Sequence, residues 1–569
     1  MTPATRLACA LMLLPALAGA PDEAPAYDIL LRGGRVVDGA GNPWFVADLA
    51  IKGDRIAAIG RLHQARAGRT IDVSGLVVAP GFIDMLGQSE YTLLADPQLL
   101  SKVTQGITTE LTGEGGSVGP MTSYSVAEMR TTALDLKIEI DWTDHESYFR
   151  RVASQGSALN FAHMVGAAQV RMAVLKSENR APTSAELEAM KRHVDVAMRQ
   201  GAFGLSSSLI YPPGSFAQTD ELVELAKVAA RHGGIYATHI RGESDHLAES
   251  LDEAAAIGER AGIPVEVWHL KAAGKNNWGR MAEALARIDA ARRRGVDMTA
   301  DVYPYPAAAT DLAACLPPWA SEGGLQAFLG RLKDPAARAR IRSEMENPET
   351  SWERLLHHVG GPEGVLIAGV RTEANRRFQG MRLSEIAAAR RADPIETIFD
   401  LLVEEGGSVD SIYFMMSEDD VKKGISAPWV SFNCDAPGVR PDGLLGQKSI
   451  HPRAYGSFPR ILGKYVREEK VLTLEEAIRK MTSLPAQRLG LVDRGLLREG
   501  LYADVVVFDP AKITDRATFE MPHQTSEGVV HLFVNGVAVL DSGRPTGKLP
   551  GGILRGPGHM AQSDTPKSR

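Results

Sequence analysis

Three successive pairs of helix and strand lie between residues 219 and 305, and they restrict the fold more than any other feature of the chain. Each helical segment has apolar residues at helical spacing and is followed by a short apolar segment: TDELVELAKVAARHGG by IYATHI, SDHLAESLDEAAAIGERAG by PVEVWHLK, and NWGRMAEALARIDAARRRG by VDMTADVYPY. Strands that alternate with helices usually pair in parallel. This region therefore predicts an α/β protein with a parallel sheet.

Extending the pattern in both directions gives eight candidate strands. They lie near residues 78–85, 107–113, 159–166, 203–208, 235–240, 264–270, 296–303 and 430–435. Eight such units predict closure into a TIM-type (β/α)8 barrel, and a doubly wound open sheet is the alternative. Residues 306–429 break the alternation and predict an insertion before the last barrel strand.

Both ends of the chain contain further strand-like segments. YDILLRGGRVVDGAG and FVADLAIKGDRIAAIG lie near the start, and GLYADVVVFD and VVHLFVNGVAVLDSG lie near the end. We expect residues 27–77 and 489–555 to form one small β-sandwich domain beside a barrel of residues 78–488. Residues 556–569 are expected to be a disordered tail.

The first twenty residues, MTPATRLACALMLLPALAGA, have the composition of a signal peptide. A single charge at Arg6 precedes an apolar run that ends in small residues. The run is shorter than the roughly 20 residues that span a bilayer, so we expect cleavage rather than anchoring. The mature protein is then expected to be periplasmic or secreted, with no membrane partner.

The remaining composition is that of a globular protein with a large apolar core. Of the 569 residues 44% are hydrophobic, and the formal net charge is −7 without long basic runs, which argues against nucleic acid as a partner. Cys9 belongs to the leader, so Cys315 and Cys434 alone remain, too few for a disulfide framework.

Three polar residues stand at the ends of candidate strands. His239 ends YATH, His269 ends VEVWH and Asp435 ends VSFNCD. In a TIM barrel the carboxyl ends of the strands carry the catalytic groups. One such histidine is usually a core residue, but two at matching positions, together with an acid, favour a catalytic Zn²⁺ site with a position open for water.

Several longer motifs point to one family. They are PGFIDM, QGITTELTGEGG, GAFGLSSSLIYPPG, YATHIRGES, HLKAAGKNNWGR, DVYPY, FNCD and HPRAYGSFPRILGK. In this order they resemble the D-aminoacylase (N-acyl-D-amino-acid deacylase) branch of the metal-dependent amidohydrolase superfamily. The resemblance extends from about Tyr27 to Arg555.

The resemblance implies a role for each matching residue. His239 and His269 would hold the zinc ion, and Asp435 would activate its water and later protonate the leaving amine. The residues implied for binding the α-carboxylate of the substrate are Lys271, Tyr303 and Arg453. Cations and a phenol suit an anion, and Arg can bind a carboxylate through two hydrogen bonds.

The chain departs from the family pattern at two places. The first strand has Leu86 and Gln88 where the superfamily has His-x-His, which predicts one Zn²⁺ per chain. After the second strand, Gly115 takes the place of a cysteine ligand. We expect the adjacent Glu114 to be the third ligand, with Glu90 as the second choice, because a carboxylate can replace a thiolate on zinc.

These observations predict zinc-dependent hydrolysis of the amide bond of N-acyl amino acids, with D configuration expected. His451 and the loop around Tyr211 are further candidates to assist. One alternative is an amidohydrolase for another amide class: a dipeptide, a cyclic amide or an aryl amide. Another is a degenerate, metal-free barrel that only binds a ligand. The sequence leaves the oligomeric state open.

Overall fold

A closed barrel of parallel strands forms the centre of the protein in a computed structural model, which describes residues 26–560. The predicted signal peptide lies outside the described residues. The strands are β1 (Tyr27–Val36), β2 (Phe45–Lys52), β3 (Arg55–Gly60), β4 (Ala67–Asp72), β5 (Val77–Pro80), β6 (Phe82–Asp84), β7 (Ile107–Thr112), β8 (Asn160–His163), β9 (Val165–Gly166), β10 (Gly204–Ser208), β11 (Ile235–His239), β12 (Val265–Val267), β13 (Met298–Val302), β14 (Ala308–Asp311), β15 (Val365–Gly369), β16 (Asp410–Tyr413), β17 (Val430–Phe432), β18 (Val505–Phe508), β19 (Val529–Val534), β20 (Val537–Asp541) and β21 (Arg544–Pro545).

The helices complete the outer layer and the insertion. They are α1 (Thr92–Ala95), α2 (Leu100–Val103), α3 (Ser123–Glu128), α4 (Arg130–Leu136), α5 (His145–Gln155), α6 (Ala167–Leu175), α7 (Ser184–Arg199), α8 (Thr219–Arg231), α9 (Leu247–Ala261), α10 (Met281–Arg293), α11 (Leu325–Lys333), α12 (Pro335–Glu346), α13 (Leu355–His358), α14 (Leu383–Arg390), α15 (Pro394–Glu404), α16 (Glu418–Ser426), α17 (Arg453–Arg460), α18 (Leu474–Met481) and α19 (Ser483–Arg488). None of the described helices is long and apolar enough to cross a membrane.

Two runs of parallel strands join into the expected (β/α)8 barrel. One has the order β17-β13-β12-β11-β10-β9 and the other β6-β7-β8. At one junction Phe203 N donates to His163 O at 2.9 Å, and at the other Asp435 N donates to Leu86 O at 2.8 Å. Because both junctions are hydrogen-bonded, the sheet closes and the open-sheet alternative is excluded. The fold class predicted from the sequence is confirmed.

The barrel strands are buried on both faces because helices cover their outer side. Every residue of β10, β11 and β12 is buried. Helix α8 shows how the sequence provides this cover, with acidic residues in its first turn and a buried apolar stripe that includes Leu222, Leu225 and Ala229. Helix α9 ends at Ala261 and is capped by Gly262, whose φ of 64° is the left-handed conformation that glycine adopts easily.

The β domain is assembled from both ends of the chain. Its strands form one continuous sheet, β21-β20-β19-β18-β5-β1-β2-β3, with β4 paired to β1. The N-terminal β1 and the C-terminal β18 lie on either side of β5. Leu31, Leu49, Val505 and Phe533 meet in its core.

The first candidate strand, near residues 78–85, was predicted wrongly at its start. Val77–Pro80 belongs to the β domain because β1 and β18 take its backbone hydrogen bonds, and the barrel strand begins at Phe82. The chain crosses between the two sheets at Gly81, where a Cβ atom would lie 2.2 Å from Thr108 side-chain atoms. Only glycine fits this close approach.

The last described residues lie on the barrel rather than in the β domain or a free tail. Leu554 N donates to Phe161 O at 2.7 Å, Gly556 N to Gly201 O at 2.9 Å and Met560 N to Arg199 O at 3.2 Å. The expected end of the β domain at residue 555 and the expected disorder of residues 556–560 are therefore wrong. The segment is ordered because its backbone forms hydrogen bonds with backbone groups beside β8 and α7. Residues 561–569 lie outside the described part.

The insertion is shorter than expected. It contains the antiparallel sheet β14-β16-β15 and helices α11–α15, with a separate apolar core. Helix α16 packs against α10 and β13 and leads into β17, so it is a barrel helix. The expected end of the insertion at residue 429 is therefore wrong, and the insertion ends near Met416. The helical pattern of 418–426 could not by itself show which layer the helix joins.

Candidate active site

The polar residues predicted to carry the chemistry meet at the carboxyl ends of the barrel strands. Glu114 follows β7, His239 is the last residue of β11, His269 follows β12, and Asp435 follows β17. They line one cavity of about 620 Å³ between the barrel and the insertion, together with Lys271, Tyr303 and Arg453. Strands far apart in the chain thus bring all seven predicted residues to one site.

Glu114, His239 and His269 form a cluster that can hold a metal ion. Glu114 Oε1 lies 2.9 Å from His239 Nδ1 and 3.2 Å from His269 Nε2. The three potential ligand atoms lie within 4.8 Å of one another. One carboxylate and two imidazoles match the ligand types of a catalytic zinc site, so the donor set fits this metal. Glu90 lies outside this cluster.

The charges of the cluster also suit a cation. Burial raises the pKa of Glu114, but hydrogen bonds with His239 and His269 outweigh it and hold the pKa well below its usual value. Burial and Lys271 lower the pKa of His269, but Asp435, Glu243 and Glu114 raise it to about 10. A metal ion bound here would have to compete with a proton for His269.

Two site residues have left-handed backbone conformations. The φ angles are 39° at His269 and 45° at Asp435, a region that costs a non-glycine residue of order 1–3 kcal/mol. Neighbouring groups stabilise both. His269 N donates to Asp301 Oδ1 at 2.6 Å, and Asp435 N donates to Leu86 O. Such strain at the ends of barrel strands is typical of functional positions.

Gln88 connects the metal cluster to Asp435. Its Nε2 donates to Glu114 Oε2 and to Asp435 Oδ1, each at 2.9 Å. The amide thereby separates two carboxylates that would otherwise repel each other. Leu86 is fully buried in the core and offers no ligand atom.

Arg453 and Tyr303 present free donors beside Asp435. Arg453 Nη1 lies 2.6 Å from Asp435 Oδ2, and its guanidinium lies 4.6 Å from the centre of the Tyr303 ring. Lys271 Nζ lies 5.7 Å from the same ring centre. Within residues 26–560, Tyr303 OH and Arg453 Nε are buried without a hydrogen-bond partner. Buried donors of this kind suit an anionic ligand group.

Comparison with known proteins places this site in a family. The model of the amidohydrolase family matches residues 372–540. The N-acyl-D-glutamate deacylase of Alcaligenes xylosoxydans xylosoxydans is 37% identical over 531 residues, which are 93% of this chain and 96% of that protein. The chain belongs to the amidohydrolase family, in its D-aminoacylase branch.

Solved structures agree with this membership. The crystal structure of N-acyl-D-glutamate deacylase from Bordetella bronchiseptica, complexed with zinc and a phosphonate inhibitor, has a TM-score of 0.77 at 34% identity and covers 93% of this chain and 99% of that one. A D-aminoacylase structure has the same TM-score at 35% identity and covers 93% and 100%. The protein is thus an amidohydrolase that acts on carbon–nitrogen bonds.

One residue of this amidohydrolase site was missed by the sequence analysis. Glu243, four residues after His239, has its Oε1 atom 2.5 Å from Lys271 Nζ, 3.1 Å from His269 Nδ1 and 3.6 Å from His239 Nε2. Glu243 is part of the motif YATHIRGES, but it lies in the loop after β11 and not at the strand end, where catalytic residues were expected. Only its spacing from His239 could have drawn attention to it.

Tyr211 and His451, the further candidates to assist catalysis, have different environments in the amidohydrolase site. The Tyr211 ring lies 5.2 Å from the His239 ring, at the cavity wall. His451 Nδ1 accepts from Arg453 N at 2.9 Å, and Nε2 lies 3.0 Å from Ala307 O. Burial lowers the pKa of His451 well below its usual value. The neutral ring is therefore committed to backbone groups and is not free to transfer protons.

Proposed function

We propose that the protein hydrolyses the amide bond of N-acyl-D-amino acids with one zinc ion held by Glu114, His239 and His269. The observation that carries this proposal is the metal-binding cluster beside the free donors of Tyr303 and Arg453. A hydrolytic centre and an anion-binding group in one cavity match a substrate with an amide and a carboxylate. The names of the relatives support this substrate class and the D configuration.

The chemistry divides between the metal and Asp435. A zinc ion supplies Lewis-acid activation of the carbonyl group and lowers the pKa of water. Asp435 accepts the proton of the attacking water and delivers it to the leaving nitrogen. Burial raises the pKa of Asp435, although Arg453 opposes this rise. The raised pKa helps Asp435 to hold the proton until it is delivered to the leaving nitrogen.

Arg453, Tyr303 and Lys271 fix the orientation of the substrate. Arg453 contacts both Asp435 and the Tyr303 ring. A substrate α-carboxylate bound to Arg453 and Tyr303 therefore places the neighbouring amide on the side of Asp435. A dipeptide, a cyclic amide or an aryl amide would differ in its need for this carboxylate.

One experiment tests the metal and the substrate class together. Metal analysis of the purified protein is run beside hydrolysis of N-acyl-D- and N-acyl-L-amino acids and of their α-amides. We expect about one zinc per chain and hydrolysis of the D-configured free acids. Two fully bound metals would contradict the mononuclear site, and equal rates on free acids and α-amides would contradict the carboxylate clamp.

We also propose that the protein acts outside the cytoplasm, because residues 1–20 have the composition of a signal peptide. N-terminal sequencing of the protein from periplasmic extract should begin near residue 21. A chain that starts at Met1 and stays in the cytoplasm would refute export.

A further inference from the structure

One buried carboxylate of the insertion contacts the loop that carries Glu243. We propose that this residue, Glu353, is a positioning residue for the metal centre: it fixes the backbone of Glu243, whose side chain contacts His269 and Lys271. The inference deepens the proposed function and rests on it. Glu353 directly precedes α13 and is not among the described residues that line the substrate cavity, so it acts through Glu243 and not on the substrate.

The carboxylate of Glu353 accepts three hydrogen bonds from two consecutive residues. Its Oε1 atom accepts from Glu243 N at 2.5 Å and from Ser244 N at 3.0 Å, and its Oε2 atom accepts from Ser244 Oγ. Successive backbone N–H groups that point at one anion form a small anion-binding site. The loop therefore cannot rotate at Glu243 without breaking these bonds.

The barrel holds Glu243 from the opposite side. Ala273 N donates to Glu243 O at 2.8 Å, and Lys271 Nζ lies 2.5 Å from Glu243 Oε1. With the N–H group fixed by Glu353 and the carbonyl group fixed by Ala273, the side chain of Glu243 leaves the backbone in one direction. This direction keeps Oε1 at 3.1 Å from His269 Nδ1.

The surroundings of Glu353 are fitted to this contact. The residue is 5% exposed, and a Cβ atom at position 242 would lie 3.0 Å from Glu353 Oε1, so Gly242 leaves room for the carboxylate. Among the described residues, no lysine or arginine lies within 4.0 Å of it. Burial raises the pKa of Glu353, and the hydrogen bonds from Ser244 oppose the rise. A buried carboxylate without a cation is unfavourable unless its hydrogen bonds are satisfied, and here the Glu243–Ser244 segment satisfies them.

Ser244 and His358 complete this contact but do not form a second hydrolytic site. His358 Nε2 lies 2.9 Å from Ser244 Oγ. In a serine hydrolase the acid orients the histidine, whereas here Glu353 accepts from the serine hydroxyl itself. Ser244 is 1% exposed and is not among the described residues that line the cavity, so a substrate cannot reach its hydroxyl group.

Removal of the carboxylate should loosen the metal centre. We expect Glu353→Ala to weaken zinc binding about tenfold and to raise KM for N-acyl-D-amino acids. The kcat at saturating zinc should stay near that of the unmodified enzyme, because Asp435 and the proposed ligands remain. Chelator competition and steady-state kinetics measure the two effects. Unchanged zinc affinity in folded Glu353→Ala would overturn the inference.

The conservative variant Glu353→Gln should restore zinc affinity. Its amide oxygen can accept from both backbone N–H groups, and its NH₂ group can donate to Ser244 Oγ. A loss of zinc affinity as large as that of Glu353→Ala would overturn the inference.

Glu405 provides a matched control within the insertion. Its carboxylate accepts from Arg371 N, Thr372 N and Thr372 Oγ1, which is the same pattern of two consecutive N–H groups and a hydroxyl group. It is also buried, at 2% exposed. Glu405→Ala should lower Tm, as Glu353→Ala does, but should leave zinc affinity unchanged. An equal loss of zinc affinity in both variants would show a general effect of destabilisation and overturn the inference.

A double variant tests whether Glu353 acts through Glu243. The zinc affinity of Glu353→Ala combined with Glu243→Gln should equal that of Glu243→Gln alone within about twofold, and additive losses would overturn the inference. If Glu353→Ala does not fold, Glu353→Asp takes its place in the same cycle, because it keeps the charge but is one methylene too short to hold all three donors. Absence of zinc binding by the unmodified protein would instead refute the proposed function itself.

Discussion

Lys271 Nζ lies 2.5 Å from Glu243 Oε1, and the same oxygen lies 3.1 Å from His269 Nδ1. Glu243 thus contacts both a histidine proposed as a metal ligand and a cation of the substrate cavity. Lys271 Nζ itself lies 2.7 Å from His269 Nδ1, so the lysine, the carboxylate and the histidine form one hydrogen-bonded group. One carboxylate therefore orients both halves of the site.

Glu243→Gln should weaken metal binding and substrate binding together. We expect zinc affinity to fall about 10–100-fold, as for other carboxylates that orient a metal-binding histidine, and KM to rise because Lys271 loses its partner. Chelator competition and steady-state kinetics measure the two effects. Glu253→Gln, which breaks a pair with Arg241 outside the cavity, is the control and should change neither.

The two histidines should be essential for metal. His239→Ala and His269→Ala should each lose bound zinc and activity, because each removes one of three protein ligands. Elemental analysis of the folded variants measures this. The exposed His63→Ala should retain a normal metal content. Full zinc in either ligand variant would exclude that residue from the site.

Asp435→Asn should separate catalysis from metal binding. The asparagine can still contact Gln88 but cannot accept a proton, so we expect kcat to fall at least about a hundredfold with most of the metal retained. Asp442→Asn, an exposed residue paired with Arg440, should be unaffected. Turnover near that of the unmodified enzyme would point to another base.

Arg453→Met should affect free acids most. It removes buried donors for the α-carboxylate, at a cost of about 2–3 kcal/mol. KM should therefore rise far more for N-acyl-amino acids than for their amides or esters. An equal rise for both kinds of substrate would indicate a structural effect instead of lost carboxylate binding.

Glu90 should make the folded protein sensitive to alkaline pH. Burial raises its pKa from 4.5 to about 8, and its buried Oε2 atom has no hydrogen-bond partner in the described chain. The folded form keeps a proton that the unfolded form has released, so this contribution to stability is present below pH 4.5 and is lost as the pH rises through 8. Glu90→Gln should raise Tm relative to the unmodified protein increasingly from pH 4.5 to about 8, with metal retained. A Tm difference independent of pH would contradict this.

The sequence determined the barrel and most of the candidate site. His239, His269 and Asp435 could be placed together because parallel strands have their carboxyl ends at one edge, so a residue's position at a strand end also fixes its location in space. The same reasoning placed Glu114, which directly follows the second barrel strand.

Only the tertiary structure decided the contacts between residues that are far apart in the sequence and that no strand-end position or periodicity relates to each other. Gln88 and Asp435 are 347 positions apart, and only closure of the barrel brings the amide between two carboxylates. Glu243 gained its role because its loop folds back over Lys271, and residues 554–560 joined the barrel through backbone groups that any sequence could offer. Periodicity reports which face of an element is buried, but not which distant element covers it.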